Sequence, residues 1–93
     1  MIIPSKQYKE FEESALWFIE SLGIDYPVNV KALFYMKTRR RVDLTNLLEA
    51  LDDVLVKGGM LTDDNYKIIE GHDGSRVLYD KDHPRIEVFI EEI

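Results

Sequence analysis

Leu44, Leu47, Leu48, Leu51, Val54 and Leu55 recur at the spacing of an α-helix with one apolar face. Asp43 stands just before the pattern and Gly58-Gly59 just after it. Asp is a favoured N-cap and Gly a favoured residue past a helix end. The sequence therefore predicts a helix from Asp43 or Leu44 to about Lys57, with Val42 and Leu47 placed to form a hydrophobic staple across its start. Asn46, Glu49 and Asp53 gather on the opposite, polar side, and Asp43 sits at the edge of the seam. A helix apolar on one side only must lie on another layer, so the rest of the chain has to supply one.

The candidate layer is a sheet. Val28–Met36, VNVKALFYM, is rich in β-branched and aromatic residues and reads as a strand, with Val28, Val30, Ala32, Phe34 and Met36 on one face. Strands are also predicted at 66–70, at 76–79 and at 85–93, where Ile86, Val88 and Ile90 alternate with Glu87, Phe89 and Glu91. His72-Asp73-Gly74-Ser75 reads as a hairpin turn. Ahead of the first strand, Tyr8, Phe11, Ala15, Phe18, Ile19 and Leu22 fall at helical spacing, from a cap at Ser5 to an end at Gly23. Trp17 is read as core, with a dimer contact as the alternative. Met1–Pro4 is a short apolar lead. The expected architecture is a single α+β domain over residues 1–93, two helices packed on a small mixed sheet.

Ninety-three residues without a cysteine exclude disulfides and thiolate metal sites. No run approaches the roughly 18 apolar residues of a membrane span. MIIPSKQYKEFEE lacks the basic-then-apolar order of a signal peptide, so a cytoplasmic, membrane-free protein is expected. Neither a glycine-rich phosphate loop nor a GxSxG elbow is present, and no organic cofactor is expected. The net charge of −6 is unevenly spread. Residues 1–42 balance at +2 and residues 43–93 at −8, and four of the twelve cations lie within Lys37–Arg41. Local potential, not net charge, steers a polyanion.

Lys37, Arg39, Arg40 and Arg41 run directly into Asp43, and a second acidic pair, Asp63-Asp64, follows the helix. Cations beside two carboxylate groups suit a site for a phosphate backbone and a hard divalent cation, which takes one or two carboxylates plus water and phosphate oxygens. Each piece also has a plainer reading. Asp43 is a good cap whatever else it does, Asp63-Asp64 is common turn chemistry, and the basic run would serve as a solvated loop. His72 and His83 lack metal-ligand spacing and are read as turn residues.

The stretch RRRVDLTNLLEALDDVLVKGGMLTDDNYKII, residues 39–69, resembles the RusA family of Holliday junction resolvases of bacteria and their phages. That family carries Arg-rich residues, then Asp-Leu-Asp-Asn-Leu on a helix, then an Asp-Asp loop before a strand. The resemblance covers roughly residues 27–93 and extends weakly to SKQYKEFEESALWFI. It implies a homodimeric endonuclease, dependent on Mg²⁺ with Mn²⁺ as a substitute, that nicks four-way junctions in recombination and repair. By that resemblance Asp43 is the first helix aspartate, Asn46 the asparagine that meets DNA, Asp64 the loop aspartate and Asp63 the acid before it. Asp43, Asp63 and Asp64 would hold the metal, and Lys37, Arg39, Arg40 and Arg41 would bind DNA.

Two departures follow. The family's second helix aspartate is Thr45 here and its lysine is Glu49. Positions four apart share a helix face, so Glu49 is expected to deliver a catalytic carboxylate near the missing one, beside Asp43 and Asp64. Arg41, Lys67 and Arg76 are candidates for the lost cation. The chain also begins almost at the first helix, so the family's N-terminal strand is expected to be lacking. The alternatives to a nuclease are a junction-binding protein without catalysis and an acidic protein-interaction domain.

Overall fold

In the computed structural model, which describes residues 1–4 and 11–93, the strand Val28–Met36 is central. The described elements are β1 (Ile2–Pro4), α1 (Phe11–Leu16), β2 (Val28–Met36), α2 (Leu44–Lys57), β3 (Ile69–Gly71), β4 (Arg76–Tyr79) and β5 (Arg85–Glu92). β2 pairs antiparallel with β5, from Val28↔Glu92 to Tyr35↔Arg85, and β5 pairs antiparallel with β1. On the other edge β2 takes two short parallel partners, β3 at Val28 and Asn29 and β4 at Leu33–Met36. Parallel neighbours need a crossover, and α2 supplies it between β2 and β3. The sheet is mixed and the fold is α+β, as the periodicity predicts.

The buried side chains follow the alternation of β2. Val28, Val30, Ala32 and Phe34 are buried, and Ile86 and Val88 of β5 pack with them. α2 lays Leu51, Val54 and Leu55 into this core, each worth on the order of 2 kcal/mol by leaving water. Its earlier leucines, Leu44, Leu47 and Leu48, are half-buried at the core's margin. The helix limits agree with the sequence. Asp43 is the N-cap, its Oδ1 accepting from the Thr45 N–H at 2.9 Å, and Gly58 is the C-cap.

Four expectations are corrected. α1 ends at Leu16, not near Gly23, and its predicted start at Ser5 and Tyr8 lies outside the described residues. Residues beyond it exchange helical bonds for tertiary ones. Gly23 N donates to Gly59 O, Ile24 N to Met60 O and Thr62 N to Ile24 O, all within 3.0 Å. Gly58 allows that approach, because a Cβ there would meet Ile19 Cγ2 at 2.6 Å. Trp17 is 87% exposed and is not core.

The third correction concerns the strand predicted at 66–70, which forms at Ile69–Gly71. Asn65 bends the chain before it. Its side chain accepts from Lys67 N, and its carbonyl accepts from both Ile68 N and Ile69 N. The fourth is that residues 72–75 do not close a hairpin, because β3 and β4 run in one direction along β2. The turn is a jog between them. Ser75 spans the gap: its hydroxyl accepts from Ala32 N at 3.0 Å and donates to Val30 O at 3.4 Å. The apolar lead Ile2–Pro4 is itself a strand, with Ile3 buried against the core.

Candidate active site

β2 ends at Met36, and the next seven residues carry the chain to α2. Lys37, Arg39, Arg40 and Arg41 lie in that connection, all exposed. The Arg39 guanidinium carbon lies over the Tyr79 ring, 4.3 Å from its centroid. Asp43 follows, exposed, with Oδ1 committed to the helix cap. Asn46 and Glu49 continue the exposed polar side of α2. Glu49 lies six residues past Asp43, about 9 Å along the axis. The basic run thus leads into Asp43, and Asn46 and Glu49 follow within the first six residues of α2.

Asp63 and Asp64 do not join Asp43 in a group that could hold a metal ion within one chain. α2 is 14 residues long, about 21 Å, and the acidic pair follows its far end. Thr62 N is bonded to Ile24 O and Val28 N to Ile68 O, which holds the 62–68 segment at the entry of β2. Asp43 lies beyond the exit of β2. Among the described residues no three His, Asp or Glu side chains form a group that could hold a metal ion. Asp63 and Asp64 are both exposed, and Asp63 Oδ1 accepts from Asp64 N at 2.7 Å. As donors the three aspartates suit a hard divalent cation: all offer oxygen, and Asp43 and Asp63 each use one carboxylate oxygen on a backbone N–H.

One pair escaped the sequence reading. Asp52 is 8% exposed, on the apolar side of α2, and its Oδ2 lies 2.8 Å from His72 Nε2 in the β3–β4 turn. Asp52 Oδ1 is buried with no hydrogen-bond partner among the described residues. Burial raises the Asp52 pKa above 3.8, His72 draws it back, and the Asp64 and Asp53 carboxylates push it up further. The signal was in the spacing. Asp52 falls four residues after Leu48 and three before Leu55, inside the apolar arc, where a carboxylate needs a partner. His72 is therefore a tie between layers and not a plain turn residue.

Residues 1–91 match the family described as endodeoxyribonuclease RusA. The chain belongs to the RusA family. Among curated relatives, the crossover junction endodeoxyribonuclease RusA of Aquifex aeolicus (strain VF5) is 33% identical over 66 residues, which cover 67% of this chain and 52% of the relative. The chain spans about half the length of that RusA relative. Among the described residues no helix is long and apolar enough to cross a membrane.

Proposed function

We propose that this RusA-family chain is a structure-selective endonuclease that cuts four-way DNA junctions by paired phosphodiester nicks, in recombination and repair. One observation carries the reading. An exposed carboxylate, Asp43, opens α2 immediately after four exposed cations, in a chain matched to RusA over residues 1–91. Lys37, Arg39, Arg40 and Arg41 neutralise phosphates and set the backbone against the start of α2. Asn46, one turn into the helix, offers donors and an acceptor to DNA beside them.

Asp43, Asp63 and Asp64 would hold a divalent cation, Mg²⁺ or Mn²⁺, and Glu49 would add the carboxylate that Thr45 lacks. When bound, the cation supplies Lewis-acid stabilisation of the charge that develops on the phosphate oxygens. That Asp43, Asp63 and Asp64 do not form one metal-holding group within a chain fits a site shared between two copies, with Asp43 from one and the loop from the other. A two-fold homodimer would then present two such sites, matching the two-fold symmetry of a junction.

Incubation with a four-way junction and a matched linear duplex, each with and without Mg²⁺, tests the reading. Cleavage of the junction alone, in Mg²⁺ alone, is expected. Junction binding that never leads to cleavage in Mg²⁺ or Mn²⁺ would favour a binding protein instead.

A further inference from the structure

We propose that Tyr79 is a positioning residue of the DNA interface, holding Arg39 so that its guanidinium edge meets a phosphate. The inference rests on the reading of Lys37–Arg41 as phosphate contacts. Arg39 belongs to an irregular connection, three residues past the end of β2. A long cationic side chain in such a segment samples many rotamers, and fixing it on binding costs affinity. Tyr79 removes much of that freedom. The Arg39 guanidinium carbon lies over its ring, 4.3 Å from the centroid.

The seat itself is anchored to the sheet. Tyr79 is opposite Met36 in the β2–β4 ladder, and the next amide, Asp80 N, donates to Met36 O at 2.9 Å. Arg85 holds Asp80 in turn, at 2.8 Å. Arg39 is thus tied to the exit of β2 by a strand that leaves and returns through forty residues of chain. A guanidinium stacked by its face keeps its in-plane N–H donors at the edge, the geometry that phosphate oxygens accept. Lys37, Arg40 and Arg41 have no such ring contact among the described residues. Tyr79 is 41% exposed, more than an aromatic kept only for the core would be.

The test measures binding of a labelled four-way junction across a salt series, without divalent metal, for wild type, Tyr79→Phe, Tyr79→Leu, Arg39→Ala and the double variant Arg39→Ala/Tyr79→Leu. Tyr79→Leu should weaken binding about two- to five-fold, the reach of one exposed cation–π contact. Tyr79→Phe keeps the ring and should bind as wild type. In the Arg39→Ala background Tyr79→Leu should have no further effect. Tyr79→Thr, at ease on a strand edge, makes the same comparison if the Leu variant folds poorly. An undiminished Tyr79→Leu effect without Arg39, or equal losses from Phe and Leu, overturns the proposal while leaving DNA binding by the basic run intact. Wild-type affinity and salt slope in Arg39→Ala would instead remove Arg39 from the interface, and both readings of it would fail together.

Discussion

The start and the second half of α2 treat a carboxylate in opposite ways. At the start, Asp43 is exposed, spends Oδ1 on the Thr45 N–H and stands next to the basic connection. In the second half, Asp52 is buried, faces His72 at 2.8 Å and leaves Oδ1 without a partner among the described residues. An exposed cap can hold its helix and still meet a ligand, because water has already satisfied whatever the ligand displaces. A buried carboxylate is committed to its partner, because removing that partner strands a charge in the core. Local burial separates a residue available for chemistry from one that fastens two layers.

The largest test of this contrast mixes subunits. Asp43→Asn and Asp64→Asn should each lower junction cleavage by more than about 100-fold while DNA binding survives, since each removes a carboxylate from a hard cation. Asn is itself a good cap, so Asp43→Asn should unfold within about 0.5 kcal/mol of wild type. If the site is shared, mixing the two inactive variants regenerates one intact site per heterodimer and restores part of the cleavage. If each chain holds its own site, the mixture stays dead. Glu49→Gln belongs to the same series, and full cleavage by it would leave Asp43, Asp63 and Asp64 as the only carboxylates of the site.

Next in size is the fastening at the other end. His72→Ala leaves Asp52 buried and unpaired, and should cost about 3 kcal/mol in denaturant unfolding. Asp52→Leu removes the charge together with the need for a partner, and should fall within about 1 kcal/mol of wild type. Near-equal, small effects from both variants would mean that water reaches Asp52 and that the two ends of α2 differ less than their exposure suggests.

The smallest effect is electrostatic and has opposite signs at two places. Burial raises Asp52 above 3.8, whereas the Arg85 guanidinium and the His83 N–H hold Asp80 below 3.8. Between its raised pKa and 3.8 the folded state binds Asp52's proton before the unfolded state does. Its contribution to stability is therefore present below 3.8 and lost as pH rises through the folded value. Asp80 runs the other way: its contribution is present above 3.8 and lost as pH falls through its depressed value. Carboxyl ¹³C titration should place the Asp52 midpoint above 3.8 and that of Asp80 below it. An Asp52 midpoint under 3.8 would show that attraction to His72 outweighs burial.

The elements legible in the sequence are those whose period is set by one long packed face. α2, β2 and β5 are of this kind, and Asp43 as cap is written in residue type alone. What escaped depends on partners far along the chain. α1 stops at Leu16 while residues 23–24 bond to Gly59 and Met60, a choice no local pattern around Leu22 reveals. The jog at 72–75 looks like a hairpin because its turn residues are the same, and only the parallel pairing of β3 and β4 with β2 distinguishes them. At the candidate site, the exposed residues could be named from motif and charge. That Asp43 and Asp63-Asp64 form no metal-holding group within one chain is tertiary information, set by where the 62–68 segment is tied.

The pairing of β2 with β5 also sets an order of events during synthesis. β2 aligns Val28 with Glu92 and Tyr35 with Arg85, so its long antiparallel edge has no partner until the last strand emerges. The ribosome adds the 56 residues from Met36 to Glu92 in roughly three to eleven seconds at ordinary rates. For that interval VNVKALFYM, a largely apolar strand, is an unpaired edge able to pair with another nascent copy. α2, complete 35 residues earlier than β5, is the element at hand to cover its apolar face meanwhile. Slow translation over residues 58–84 would lengthen the exposure, and fast translation there would shorten it.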